Sequence, residues 1–394
     1  MGTDTGMDRP DGVSMTRGLE TLRKRTAAAT TETRALLFAV AGFAMGLLVG
    51  FIGFGGSDLP IGGRGSLGEV AAITAAIVAL PVFVGGYVLS YDEPDRAWLR
   101  RVRLGRQILD IGALALVHAS ICLLLWTVTF ALLQQSFVDA VVFPFAAAAI
   151  LGAVVALSAY FVFLSASGMT TSRLASTMAV FLVLGVVVSM LTVSNDHWWQ
   201  MNLSALGQYD DFSAGTFNLT LIIGGIVITT LANYMTTELE SGPLTRTDAA
   251  TSDATALSRA RYVKWSLVLI GVFLACVGIF HVDEHFWVHN TVASGMAVVY
   301  GVLVIRLRWI VPGLPESFFI VGYAFLGLVV VAGVFFATGY WNLTAVEILA
   351  FALIFTWLLV LIRMISAAAT DAARASGSTP QPSPLVAEPQ GPSS

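Results

Sequence analysis

Apolar residues gather in ten runs separated by short polar stretches. They cover Ala35–Phe54, Val70–Ser90, Ile108–Leu133, Ala140–Ser165, Leu174–Ser194, Phe217–Met235, Val263–Phe280, Phe286–Ile305, Phe318–Tyr340 and Leu343–Ile365. A helix rises about 1.5 Å per residue, so roughly 20 apolar residues cross a hydrocarbon core of about 30 Å. The runs lack the short alternating pattern of barrel strands. Lipid offers no partner to an open backbone N–H or C=O, so helices are the expected form. The predicted fold is an all-α polytopic transmembrane helix bundle of about ten helices. Residues 1–34 read as a disordered basic tail, Thr236–Arg261 as a Thr/Ser/Ala-rich linker, and 367–394 as a Pro/Ser-rich disordered tail.

Composition agrees. Of 394 residues, 12% are charged and 56% hydrophobic, with a mean hydropathy of +0.80. Soluble domains carry about 25% charge, so an ordinary cytosolic enzyme and a nucleic-acid binder with a basic surface are both excluded. Cys122 and Cys276 lie inside apolar runs and support neither a disulfide framework nor a thiolate metal site. Lys24 and Lys264 lie beside helix starts, which removes a mid-membrane Schiff base. The excess of Arg over Lys, with much Ala and Val, points to a GC-rich bacterial genome.

Charge also sets an expected orientation. With the N-terminus inside and the chain alternating, 20 of the 21 Lys and Arg residues fall on the cytoplasmic side; the exception is Arg64. The expectation is a multi-pass plasma-membrane protein with both termini cytoplasmic. Within Asp95–Gln107, Arg96, Arg100 and Arg103 share one helical face with Gln107. This reads as a short interfacial helix whose arginines meet anionic lipid headgroups at about 1 kcal/mol each.

Under this topology the chemistry collects at the outer face. His281, His285 and His289 are spaced i, i+4, i+8. On a continuous helix they stack on one face and two imidazoles can ligate a metal, zinc being the natural candidate. His197 or Glu347 would complete the set, leaving an open position for an activated water. The other readings place these histidines at a wet interface, bonded to loops or headgroups, or in a proton relay. The loop Asn195–Thr216 carries His197, Trp198, Trp199, Ser204, Asp210 and Asp211, and Asn218 opens the next helix. Ser204 is a candidate nucleophile if His197 or a loop histidine reaches it; a turn or cap serine is the alternative. Asn218 either satisfies backbone groups at the helix end or binds a ligand. Glu347 lies about one turn inside its run, where an ionisable group is a functional candidate. Asp110 is placed to pair with Arg106, and His118 reads as a packed histidine bonded to a neighbouring helix.

The run His197…Leu203-Ser204-Ala205-Leu206-Gly207, then Phe217-Asn218 at a helix start, Gly224-Gly225 within it and His289-Asn290-Thr291-Val292-Ala293 opening a later helix, resembles the bacterial and archaeal membrane family called domain of unknown function 998. That family is a six-helix unit. The resemblance implies a six-helix domain over 174–366, preceded by a four-helix segment over 35–173. It also implies that His197, Ser204, Gly207, Asn218 and His289 form one site.

Three function classes follow. The first is a metal-dependent hydrolase of lipids or envelope substrates, resembling alkaline-ceramidase-type enzymes in residue types: Ser204, Asp210 or Asp211, His281, His285 and His289. The second is a small-solute or proton-coupled transporter using Glu347. The third is a non-enzymatic scaffold or sensor docking through tails and linker.

Overall fold

A computed structural model describes residues 12–90, 104–241 and 253–375. Ten helices in it are long and apolar enough to cross a membrane, one for each predicted run. They are α1 (Gly12–Gly53), α2 (Leu67–Leu89), α3 (Leu104–Ser136), α4 (Pro144–Ser167), α5 (Thr171–Thr192), α6 (Phe212–Ser241), α7 (Asp253–Ile279), α8 (Phe286–Ile310), α9 (Glu316–Ala337) and α10 (Leu343–Ala375). The chain is an all-α, multi-pass membrane protein. Its only other described elements are two-residue strands, β1 (Leu59–Pro60) and β2 (Val141–Val142), paired antiparallel, and two 3-10 turns, Trp198–Gln200 and Leu203–Gly207.

Three expectations change. The segment from Gly12 to Arg34 is helical, continuous with the first span, and not a disordered tail. Neither Pro nor Gly interrupts residues 19–41, so the backbone is free to stay helical once the apolar part is fixed. For the same reason α6 and α7 run into the expected linker, ending at Ser241 and starting at Asp253, and α10 continues to Ala375. The interfacial arginines Arg96, Arg100 and Arg103 lie outside the described residues, as do the side chains of Arg106 and Asp110.

Without a hydrophobic drive between helices in lipid, small residues set the close contacts. Gly42, Gly46 and Gly50 recur every fourth residue along α1, and this face meets α4. A Cβ built on Gly46 would lie 2.7 Å from the Cα of Gly152, and one on Gly50 2.7 Å from the Cα of Ala148. Only backbone-to-backbone packing fits there. A second such seam joins α6 to α7: a Cβ on Gly271 would lie 2.6 Å from the Gly225 carbonyl, and one on Gly278 2.6 Å from the Asn218 carbonyl. Helices α1–α4 pack mainly on one another, as do α5–α10; α3 bridges them by touching α5 and α6. The α6–α7 seam ends at Asn218, which brings the α5–α6 and α7–α8 loops together at one end of the bundle.

Candidate functional site

The α5–α6 loop is pinned into the bundle by its apolar residues. Leu203, Ala205, Leu206 and Gly207 of the second 3-10 turn are buried. Glu347, in the first turns of α10, accepts the Leu203 backbone N–H at 2.5 Å. The Asn342 amide donates to the Trp199 carbonyl at 3.1 Å, and the Ser213 hydroxyl to the Ser189 carbonyl at 2.8 Å. These bonds satisfy backbone groups that the irregular loop would otherwise bury unpaired. They also fix the position of Ser204, which is half-buried one residue after Leu203.

His289 comes to Ser204 from the first turn of α8. It is 4% exposed. Its Nδ1 lies 2.7 Å from the Phe280 carbonyl oxygen and its Nε2 3.0 Å from the Ser204 hydroxyl oxygen. A carbonyl only accepts, so Nδ1 carries the proton. The neutral ring then presents a bare Nε2, and the serine hydroxyl donates to it. Nucleophile, base and orienting group are in the order that activates an alcohol.

Asn218, on α6, holds the same 3-10 turn that carries Ser204. Its amide nitrogen donates to the Gly207 carbonyl at 3.0 Å and lies 3.0 Å from His281 Nε2. A side chain at Gly207 would run into the Asn218 amide oxygen, so the close approach demands glycine there. Two buried oxygens at this end, Asn202 Oδ1 and Thr344 Oγ1, have no hydrogen-bond partner among the described residues.

The expected zinc set is not assembled. The bonds His285 N–H to His281 O and His289 N–H to His285 O, both 2.9 Å, keep the i, i+4 spacing. Yet α8 begins only at Phe286, and His285 sits outside helical geometry at φ −129°, ψ 49°. The three rings therefore diverge. His281 meets Asn218, His289 meets Ser204, and His285 is exposed, edge-on to Phe280 and 3.8 Å from Glu284. His197 is exposed in the loop, its backbone N–H bonded to Asn195. Among the described residues no group of three or more His, Cys, Asp or Glu side chains is spaced to hold a metal ion.

Asp210 is exposed, and no described bond ties it to Ser204. Asp211 instead caps α6: its carboxylate accepts the Ala214 N–H at 2.9 Å, the Ser194 N–H at 3.0 Å and the Ser194 hydroxyl. Partial burial pushes its carboxyl up, but the bonds from Ser194, Ala214 and Ser213 outweigh this and hold it below the usual carboxylate range. A carboxyl depressed in the folded state adds stability above its unfolded value. That gain is lost as pH falls through the folded value. Asp211→Asn should lower the thermal midpoint by a constant amount near neutrality, and the gap should close below about pH 4.

One residue that sequence reasoning missed is Phe280, whose contribution is a backbone carbonyl with no side-chain signature. His118, by contrast, is the packed histidine it was expected to be. Its Nδ1 bonds the Leu114 carbonyl at 2.8 Å, its Nε2 the Ser165 hydroxyl on α4 at 2.9 Å, and its ring packs on Phe83. The described residues thus hold two Ser–His–carbonyl arrangements, one on a loop at a bundle end and one between helices. No family model, curated protein or solved structure matches the chain. The resemblance of the loop to domain of unknown function 998 rests on its own residues. Of the five positions it names, Ser204 bonds His289 and Gly207 bonds Asn218, two pairs that share the Leu203–Gly207 turn; His197 is apart.

Proposed function

We propose that the chain is a membrane-embedded serine hydrolase, with Ser204 as nucleophile and His289 as general base, acting on ester or amide bonds carried by lipids or envelope molecules. The observation that carries this reading is the Nε2–Oγ distance of 3.0 Å together with the Nδ1 bond that fixes the tautomer. In the first step Ser204 Oγ attacks the substrate carbonyl carbon while its proton passes to Nε2. The imidazolium, held by the Phe280 carbonyl, then protonates the leaving alcohol or amine. Water, deprotonated by the same nitrogen, attacks the acyl-serine and releases the acid. Glu347 is a positioning residue: it holds the Leu203 N–H and through it the turn that aims Ser204.

This reading replaces metal activation by a histidine-activated alcohol and leaves His281 to orient Asn218. The site belongs on the outer face of the plasma membrane, with both termini cytoplasmic. The placement of 20 of the 21 basic residues between the other helix ends supports that orientation. The test is covalent labelling of the purified full-length protein with a fluorophosphonate, mapped by peptide mass spectrometry. The expected result is one modified serine, Ser204, with labelling absent in Ser204→Ala and Ser165 unmodified. Folded protein that takes up no label at Ser204 overturns the proposal.

A further inference from the structure

The other half of the bundle contains an apolar groove of about 390 Å³, within the size range of ligand pockets. Along α3 and the residue that follows it, it is lined by Trp126, Phe130, Leu133 and Phe137, spaced so that they share one face; the Phe137 N–H bonds the Leu133 carbonyl and continues the helical turn. Eleven residues separate the first from the last, so this wall runs about 16 Å along the helix axis. That is about half the hydrocarbon thickness. The facing wall is α4, with Ile150, Val154 and Leu157. Leu133, Phe137, Ile150 and Leu157 are also exposed on the lipid-facing surface, so the groove opens sideways.

At its loop end the groove is capped by Ile61, Leu67 and Val142. This cap is built, not slack. β1 pairs with β2, the Gly62 N–H bonds the Gln134 side chain at 2.8 Å, and Glu69 reaches back to the Gly65 N–H while the Ser66 hydroxyl accepts the Glu69 N–H. Arg64 sits exposed in the short segment between Ile61 and Leu67. It is the sole basic residue at the end of the bundle that the charge distribution places outside.

We propose that this groove holds one acyl chain of a glycerophospholipid whose phosphate rests on Arg64. The wall is long in the direction in which acyl chains lie and carries no polar lining, so the tail meets only hydrocarbon. Arg64 lies exposed in the segment between the capping residues Ile61 and Leu67, and a guanidinium matches phosphate in geometry and charge. The site lies on α2, α3 and α4, away from Ser204, and does not depend on the hydrolase reading.

The test uses full-length protein in nanodiscs and a phosphatidylethanolamine bearing a diazirine in one acyl chain, competed with unlabelled phosphatidylethanolamine, phosphatidylglycerol or diacylglycerol. Expected is saturable crosslinking within Trp126–Phe137 that both phospholipids compete and diacylglycerol does not. Ala153→Trp, at an exposed position that lines the groove, should abolish it by placing an indole there. Arg64→Gln should weaken apparent affinity about fivefold, as loss of one surface Arg–headgroup attraction does. Labelling that never saturates, that diacylglycerol competes equally, or that survives Ala153→Trp in folded protein overturns the proposal by reducing the groove to bulk lipid contact.

Discussion

His289→Gln is expected to slow fluorophosphonate labelling of Ser204, and turnover of any ester substrate, by about 10²–10⁴-fold, the range a positioned general base supplies. Glutamine can still meet the Phe280 carbonyl through its amide but has no basic nitrogen for the serine proton. Combining it with Ser204→Ala makes the comparison sharper. Residues that act as one catalytic unit lose little more together than either loses alone. A double variant no worse than Ser204→Ala in ester turnover fits a unit; losses that multiply mean two independent roles. The His118–Ser165 pair serves as the internal control. It has the same atoms in the same order, with Nε2 2.9 Å from the hydroxyl, but lies between α3 and α4. Its His118→Gln variant should lose stability and leave labelling of Ser204 unchanged.

The spans were legible because the bilayer imposes a length. Each apolar run had to be about 20 residues, and each became one helix. What the runs did not reveal was helix beyond the lipid, as in Gly12–Arg34, since a polar helix and a polar tail have similar hydropathy. The site divides along a similar line. Ser204, Asn218 and His289 stood out as polar residues at the ends of apolar runs, and only the family resemblance around Gly207 implied that they lie together. Spacing misled where the backbone turns: i, i+4, i+8 implies one face only on an unbroken helix, and at His285 there is none. Phe280 was invisible because its carbonyl orients His289 whatever its side chain. Glu347 stood out as a candidate for chemistry, and its observed bond is to a backbone amide of the α5–α6 loop, a pairing separated by 144 positions in sequence.

Gly225→Leu should be the most damaging single change to the six-helix half, because the α6–α7 seam has no space to yield. A Cβ there would strike the Gly271 carbonyl, with Ala275 also close, and the reciprocal Cβ on Gly271 would come within 2.6 Å of the Gly225 carbonyl. Overpacking a core usually costs about 1–3 kcal/mol where side chains can shift; against backbone the helices must separate instead. Separation is not a local event. Asn218 lies two turns along α6 from Gly225, where its own carbonyl is in close contact with the Gly278 position, and its amide holds both Gly207 and His281. Moving α7 away therefore carries Phe280 and His281 off the α5–α6 loop and lengthens the Ser204–His289 contact. The expected outcome is a lowered thermal midpoint together with loss of Ser204 labelling. The equivalent lesion on the α1–α4 seam, Gly46→Leu, should lower the midpoint while labelling persists in the protein that remains folded. Equal labelling in both variants would separate the α6–α7 contact from the geometry of the Ser204 site.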